Sequence, residues 1–158
     1  MSELLKLKKE YSKLASKYNL PKFEILNQKF DIEKLAGRET DMLLREIRRA
    51  IMEKAVTYFK FVEIFLNPGT APMFFLAMIK RLNGIAREPL EEIYVELGKL
   101  EIESIELENS YDEKKEAEFI KSVNQKWDNI SKKFTELLEK INFSLKARDE
   151  KKDRSYFG

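Results

Sequence analysis

The fold is decided by the central stretch of the chain, residues 43–66, which reads LLREIRRAIMEKAVTYFKFVEIFL. At ~100° per residue, eight of its apolar side chains fall on one side of a helix: Leu43, Leu44, Ile47, Ile51, Tyr58, Phe61, Val62 and Phe65. From Ala55 onward the opposite side is apolar too. A helix that is apolar on all sides has to be covered by other helices. The stretch therefore predicts the central, mostly buried helix of a bundle, ending near Leu66.

Apolar residues at spacings of three and four predict further helices on both sides of this one. The predicted segments run from about Leu4 to Asn19, from Pro21 through Phe30, from Met73 to Leu82, from Glu88 or Pro89 to Glu108, and from Asp112 to Leu145. With five glycines and four prolines, the chain has few residues for the tight turns of a many-stranded sheet. We predict an all-α bundle of about five to six helices with a long amphipathic C-terminal helix. Residues 1–145 form a single domain in this interpretation, and residues 146–158 form a charged tail.

The C-terminal helix carries a regular apolar seam over three heptads. Its members are Ile120, Val123, Trp127, Ile130, Phe134, Leu137 and Ile141. Such a seam fits packing inside an antiparallel bundle or a coiled coil with a second copy. The bulky rings of Trp127 and Phe134 favour the bundle for the first two heptads. A homodimer through the C-terminal helix stays open as the alternative beyond them.

The absence of cysteine and histidine excludes many kinds of chemistry. No disulfide, thiol nucleophile, ordinary zinc site or Ser-His-Asp triad is available. We therefore expect a protein that is not an enzyme and has no cofactor or metal. The longest apolar run, from Met73 to Ile79, is too short to span a membrane. We expect no membrane association and a cytoplasmic location.

Charge is distributed unevenly along the chain although the net charge is only +2. The net charge is +5 over residues 1–60, +2 over 61–87, −9 over 88–118 and +4 over 119–158. We favour the interpretation that the acidic segment 88–118 packs beside basic neighbours within the fold. The alternative is that the chain offers separate surfaces to differently charged partners.

Four arginines and the basic tail are candidate phosphate-binding residues. They are Arg38, Arg45, Arg48 and Arg49, with Lys151, Lys152 and Arg154 in the tail. Guanidinium groups bind phosphates with two parallel hydrogen bonds, as in nucleic-acid binders. The competing interpretation, which we favour, pairs the arginines with the acidic segment 88–118.

A buried polar contact is expected between the central helix and the fifth helix. Lys54 lies on the apolar side of the central helix, and Glu101 and Glu108 project from nearly the same side as the apolar stripe of the fifth helix. Since a buried charge needs a partner, we expect Lys54 to meet Glu101 or Glu108. This pair would be either a polar site with a lowered lysine pKa or a structural ion pair, and we favour the latter.

Two groups of large apolar residues are candidate anchors for a protein partner. Met73, Phe74 and Phe75 begin the fourth predicted helix, and Tyr156 and Phe157 end the tail. Soft and aromatic side chains suit an adaptable interface. The alternatives are a core helix for the first group and a disordered tail for the second.

One stretch resembles a known family. Residues 43–51, LLREIRRAI, followed by Tyr58 and Phe59, look like the helical domain of GINS replication subunits. The likeness covers about twenty residues, and the small β domain of that family does not follow. It implies a replication adaptor.

The features together favour a non-enzymatic helical adaptor or assembly factor that binds a larger protein or ribonucleoprotein complex. The alternative is a nucleic-acid- or ribosome-associated factor that uses the arginines and the basic tail. Ionic strength separates the two, because phosphate binding weakens steeply with salt and an apolar interface does not.

Overall fold

The structure is a computed structural model that describes residues 1–82 and 87–157, except the side chains of residue 148 and residues 151–157. The described residues form six α-helices and no strand. The helices are α1 (Glu3–Tyr18), α2 (Phe23–Phe30), α3 (Leu43–Leu66), α4 (Met73–Leu82), α5 (Arg87–Asn109) and α6 (Glu113–Phe157), with 3₁₀ helices at Ile32–Leu35 and Pro68–Thr70. The predicted all-α fold class and the long C-terminal helix are confirmed.

The central helix α3 ends at the predicted residue, Leu66. Just before its first turn, the hydroxyl of Thr40 accepts a hydrogen bond of 3.0 Å from the backbone nitrogen of Met42. Beyond its end, the loop that begins at Asn67 contains a 3₁₀ turn that starts with a proline. Because proline disfavours helical backbone in the preceding residue, the chain leaves the helix there.

Helix α6 contains the predicted seam, and all seven seam residues are buried. The helix continues to Phe157 instead of ending near Leu145. Residues 146–157 contain neither proline nor glycine, and most of them are charged residues or alanine, which tolerate helical backbone. The division into a domain of residues 1–145 and a tail of residues 146–158 stays a prediction, and so does the homodimer.

The contacts divide the chain into two compact units, which we describe separately. The first unit comprises Met1–Thr57 and Lys99–Asp128, and the second comprises Tyr58–Gly98 and Asn129–Gly158. The first unit therefore contains α1, α2 and parts of α3, α5 and α6. The second contains α4 and the remaining parts of α3, α5 and α6.

The core of the first unit forms around Trp127, the only tryptophan of the chain. Its ring packs edge-on against Phe30 with 5.0 Å between the ring centroids. The hydroxyl of Tyr11 donates to the carbonyl oxygen of Pro21, which ties α1 to the start of α2. Other buried apolar members are Leu7, Phe23, Leu26, Ile32, Leu35, Leu44, Ile47, Ile51, Ala117, Ile120 and Val123.

Two residues in the left-handed conformation end the first two helices. Asn19 follows α1 with φ of 55°, and Asp31 follows α2 with φ of 54°. The backbone N–H of each donates to a carbonyl oxygen in the last turn of its helix, on Ala15 and Asn27 respectively. Asparagine and aspartate adopt this conformation at less cost than most other side chains. The two short connections therefore follow from local sequence.

Aromatic rings fill much of the second unit. Tyr58 stacks on Phe134 with 3.9 Å between centroids, and Phe59 stacks on Tyr94 with 4.6 Å. Phe61 packs edge-on against Phe134 at 5.7 Å. The buried side chains around these rings are Val62, Phe65, Met78, Ile79, Leu82, Leu90, Ile93, Leu97, Ile130, Leu137 and Ile141. The inner side of the short helix α4 is thus part of a packed core.

Candidate functional site

A charged pair lies in the core of the first unit. The Nε of Arg48 donates to Oε2 of Glu116 at 2.6 Å, across 68 residues of sequence. Arg48 is 1% exposed and Glu116 is 0% exposed. A desolvated ion pair is costly unless hydrogen bonds satisfy both groups, and Oε1 of Glu116 has no hydrogen-bond partner among the described residues. We call this pair and its neighbours Arg45, Ser104 and Glu108 the buried polar cluster.

Each partner of the cluster interrupts the apolar stripe of its own helix. Arg48 follows Leu44 by four residues, Ser104 follows Leu100 by four, and Glu116 precedes Ile120 by four. Residues three or four apart lie on the same helix face. The three polar residues lie at the same level of α3, α5 and α6, so that Arg48 contacts both Ser104 and Glu116. The sequence analysis did not predict Glu116 as the partner of Arg48, although its place four residues before the first seam residue was a usable signal.

The remaining nitrogens of Arg48 are also occupied. Nη1 donates to the hydroxyl of Ser104 at 2.6 Å and to the carbonyl oxygen of the same residue at 3.3 Å. Nη2 donates to Oε1 of Glu108 at 2.9 Å. All three guanidinium nitrogens therefore have acceptors inside the protein. Arg48, predicted as a phosphate-binding residue, has no exposed guanidinium surface for a phosphate.

Arg45 and Tyr111 border the buried pair. Arg45 donates from Nη2 to the carbonyl oxygen of Leu107 at 2.9 Å, and its Nε lies 3.6 Å from Oε1 of Glu116. The guanidinium carbon lies 5.3 Å from the ring centre of Tyr111. Burial and the negative charges of Glu113 and Glu116 raise the pKa of Tyr111 to about 12. The Tyr111 hydroxyl is therefore protonated at neutral pH.

Glu108 is the outer acceptor of the cluster and is partly exposed to solvent. Its carboxylate accepts two hydrogen bonds of 3.0 Å from Arg49, one from Nε and one from Nη2. These bonds, with the bond from Arg48, lower the pKa of Glu108 to about 2, and they raise the pKa of Arg49. The expectation that Glu108 is buried against Lys54 is corrected, because the arginines hold it at the surface.

Lys54 has different surroundings from those predicted. Its ammonium donates to the carbonyl oxygen of Lys29 at 2.6 Å and lies 5.8 Å from the ring centre of Trp127. Partial burial lowers the pKa of Lys54. The flexible stem of a lysine lets the ammonium reach a polar group at the edge of the core. Glu101, the other predicted partner, lies half-buried on α5.

The predicted phosphate-binding arginines are engaged within the first unit. Arg49 is shared between Glu108 and Glu46, and Arg38 lies 3.5 Å from Glu46. Arg45 donates a hydrogen bond to α5, Arg48 forms ion pairs with α5 and with the first turn of α6, and Arg49 forms an ion pair with α5. The structure thus places three of the four arginines against the acidic segment, as the favoured interpretation has it. The side chains of Lys151, Lys152 and Arg154 lie outside the described residues.

The second unit presents an apolar surface on α4. Met73 is 87% exposed and Phe74 is 57% exposed. Leu76 is also exposed, whereas Phe75 is half-buried against Phe61 and Phe65. Two of the three residues predicted on this helix therefore face solvent, and the third joins the core. The side chains of Tyr156 and Phe157, the other predicted anchors, lie outside the described residues.

A groove of about 580 Å³ lies in the second unit between the end of α4 and α6. Leu82, Phe143 and Ala147 give it an apolar lining, and Arg81 and Lys140 stand among its polar residues. Phe143 is largely exposed. The hydroxyl of Ser144 is buried there without a hydrogen-bond partner among the described residues. Nothing in this set of side chains forms a nucleophile–base pair.

The acidic side chains and the helices of the described residues bear on metal binding and on membrane insertion. Within residues 1–82 and 87–157, no cluster of three or more acidic side chains could hold a metal ion. Glu113, for example, accepts a 2.6 Å hydrogen bond from Tyr18 and pairs with Lys17 at 3.1 Å. Over the same part of the chain, none of the helices combines the length and the apolar character needed to cross a bilayer.

No family model matches the chain, and neither a curated protein nor a solved structure matches it. The resemblance to GINS subunits therefore stays a likeness of about twenty residues.

Proposed function

We propose that this chain is a non-enzymatic helical adaptor that docks on a larger protein or ribonucleoprotein complex through the apolar surface of α4. The observation that carries the proposal is the exposure of Met73 and Phe74 on a helix whose inner side is packed in a core. Clustered aromatic and methionine side chains at a surface are typical of interfaces. A cytoplasmic location belongs to the same proposal.

The energetics are adequate for such a contact. Full burial of a methionine or phenylalanine side chain contributes about 1.5 to 3 kcal/mol. Met73, which is 87% exposed, retains most of this contribution for a partner, and Phe74, which is 57% exposed, retains rather more than half. Phe75 is held by Phe61 and Phe65 and fixes the helix on which the other two stand. The anchors are thus presented on an ordered element.

The nucleic-acid alternative has less support. Arg48 is buried and Arg45 is nearly so, and both are committed to acceptors within the first unit. Arg38 and Arg49 remain at the surface, each beside a carboxylate. A phosphate would have to displace these carboxylates, which weakens binding.

The test is a tagged capture from native lysate, with and without nuclease, at low and high salt. The wild-type chain is compared with the double variant Met73→Ser/Phe74→Ser and with Leu5→Ser, a control on a similarly exposed leucine of the first unit. A partner that survives nuclease and salt and is lost only from the double variant supports the adaptor. A partner that nuclease releases, or that both variants retain, contradicts it.

A chain ending at Leu145 tests the contribution of the tail in the same assay. Loss of a salt-resistant partner on truncation would move the contact from α4 to the last residues of α6. Light scattering on the wild-type chain tests the homodimer, for which the expected result under the adaptor proposal is a monomer.

A further inference from the structure

The groove between the end of α4 and α6 contains a buried hydroxyl group without a partner. Ser144 lines this groove and is only 9% exposed, and its Oγ has no hydrogen-bond partner among the described residues. Burial of a hydroxyl group costs free energy unless another group forms a hydrogen bond with it. The hydroxyl of Ser144 therefore adds no stabilising contact to the described fold, and it can serve a ligand.

Two cations of the groove stand close to this hydroxyl. Nη1 of Arg81 donates to the carbonyl oxygen of Ser144 at 3.4 Å, which is a long and therefore weak hydrogen bond. Lys140 precedes Ser144 by four residues on α6, so the two are neighbours on one helix face. The ion pairs among the described residues of the second unit use Arg87 and Lys133 as their cations. Arg81 and Lys140 can therefore pair with an added anion.

The two carboxylates of the groove lie further along α6. Glu136 and Glu139 precede Ser144 by eight and five residues, which is about 12 Å and about 8 Å along the helix axis at ~1.5 Å per residue. Glu139 is also turned by about 140° from Ser144 around the axis at ~100° per residue. Positive charge is therefore nearer to the Ser144 hydroxyl than negative charge is, which favours an anionic group at that end of the groove.

The apolar wall of the same groove suits the body of a small molecule. Leu82 ends α4, and Phe143 and Ala147 stand four residues apart on α6. Phe143 is 76% exposed, so most of its side chain is open to a ligand. The volume of about 580 Å³ lies within the range of roughly 300 to 1,000 Å³ that is typical of small-molecule sites. Such sites usually combine an apolar lining with a few polar groups that fix the orientation of the ligand.

We propose that this groove binds a small amphiphile with an apolar chain and a carboxylate head, such as a fatty acid. The chain lies against the apolar wall, where its burial removes apolar surface from water. The carboxylate accepts hydrogen bonds from the hydroxyl of Ser144 and from the guanidinium of Arg81, which turns to it from the Ser144 carbonyl oxygen. The site goes beyond the contact through α4, because it takes a small molecule and uses neither of the exposed anchors of that helix.

The experiment titrates the full chain with dodecanoate in isothermal titration calorimetry, below the concentration at which dodecanoate forms micelles. The comparison ligands are dodecylammonium, which carries the opposite charge on the same chain, and hexanoate, which carries the same head on a shorter chain. We expect saturable binding of dodecanoate that is about tenfold tighter or more than that of either comparison ligand. Dodecanoate should also raise the melting temperature of the chain, because it binds only the folded state.

Three variants and a matched control locate the site. Ser144→Ala and Arg81→Gln should each weaken dodecanoate binding by about tenfold, because each removes a hydrogen bond to a charged group. Ser144→Ala should not lower the melting temperature of the free chain, since its hydroxyl has no partner in the described fold. Ala147→Phe should abolish binding by filling the groove. Lys132→Gln, which removes an exposed cation of the same helix, should leave binding unchanged.

Four results would overturn the proposal. Absence of saturable dodecanoate binding would mean that the groove takes no such ligand. Equal binding of dodecylammonium would mean that only the chain is recognised. Unchanged binding in both Ser144→Ala and Arg81→Gln would mean that the head group lies elsewhere. Loss of binding in Met73→Ser/Phe74→Ser, with binding retained in Ala147→Phe, would place the ligand on the apolar surface of α4.

Discussion

Replacing Arg48 with methionine is expected to destabilise the first unit by about 3 to 5 kcal/mol, the cost of breaking a buried ion pair by removing one partner. The estimate applies because Arg48 and Glu116 are both almost fully buried. Methionine retains an unbranched apolar stem but no charge. Glu116 would then keep only the Nε of Arg45, at 3.6 Å, as its nearest cation. The hydroxyl of Ser104 would lose its 2.6 Å donor as well.

Urea unfolding followed by the fluorescence of Trp127 measures this loss. Trp127 is the only tryptophan and is buried in the first unit, so its emission reports on that unit. With a urea slope of about 2 kcal/mol per molar, the unfolding midpoint should fall by about 2 M. The control is Lys6→Met, which removes a 3.0 Å surface pair with Glu3. Surface pairs contribute about 0 to 1 kcal/mol, so its midpoint should change little.

The double variant Arg48→Met/Glu116→Leu completes the test and also serves if the single variant does not fold. Apolar replacement of both partners of a buried pair is often neutral or stabilising. We expect the double variant to be more stable than Arg48→Met. A midpoint shift for Arg48→Met no larger than that for Lys6→Met would contradict a stabilising buried pair. Losses of Arg48→Met and Glu116→Leu that simply add in the double variant would contradict it as well.

Three other predictions use the same Trp127 assay. Arg49 lowers the pKa of Glu108 to about 2. The ionised Glu108 carboxylate therefore stabilises the fold above pH 4.5, and this contribution is lost as the pH falls from 4.5 to 2. Glu108→Gln should flatten the fall of the unfolding midpoint over that range. Asp31→Gly should be neutral or stabilising because φ is 54° there, and Asp31→Val should destabilise by about 1 to 2 kcal/mol; equal midpoints for the two would contradict this. Leu26→Ala should cost about 2 to 5 kcal/mol, since Leu26 is fully buried and its removal leaves a cavity; a loss below 1 kcal/mol would mean that the core collapses around it.

The helices could be predicted because each has a stripe of apolar residues at a period that only a helix satisfies. Leu43 through Leu66 shows this most clearly, and the α6 seam from Ile120 to Ile141 is buried as its spacing requires. The predicted end of α6 at Leu145 was wrong, because the prediction placed the end of the helix where the apolar pattern ends. Charged residues without proline or glycine continue the helix past that point.

The polar residues of the core could be predicted only in part. The rule that a buried charge needs a partner was applied to Lys54, whose long stem reaches the carbonyl oxygen of Lys29 at the edge of the core. The rule applies instead to Arg48, which lies on the same apolar stripe of α3 and is buried. Its partner Glu116 lies far away in sequence, and a single sequence carries no record of which helices face each other.

The carboxylates of the acidic segment divide into those that pair with arginines of the fold and those that have no partner among the described side chains. Two of its carboxylates, the buried Glu116 and the partly exposed Glu108, pair with arginines of α3 and so contribute to the stability of the first unit. Its outward carboxylates, Glu103 and Glu106, have no partner among the described side chains, so their neutralisation removes no stabilising contact. Replacing Glu108 or Glu116 with glutamine should therefore lower the unfolding midpoint, whereas the same change at Glu103 or Glu106 should leave the midpoint unchanged. The direction of each side chain, and not the net charge of the segment, therefore decides which glutamates stabilise the fold.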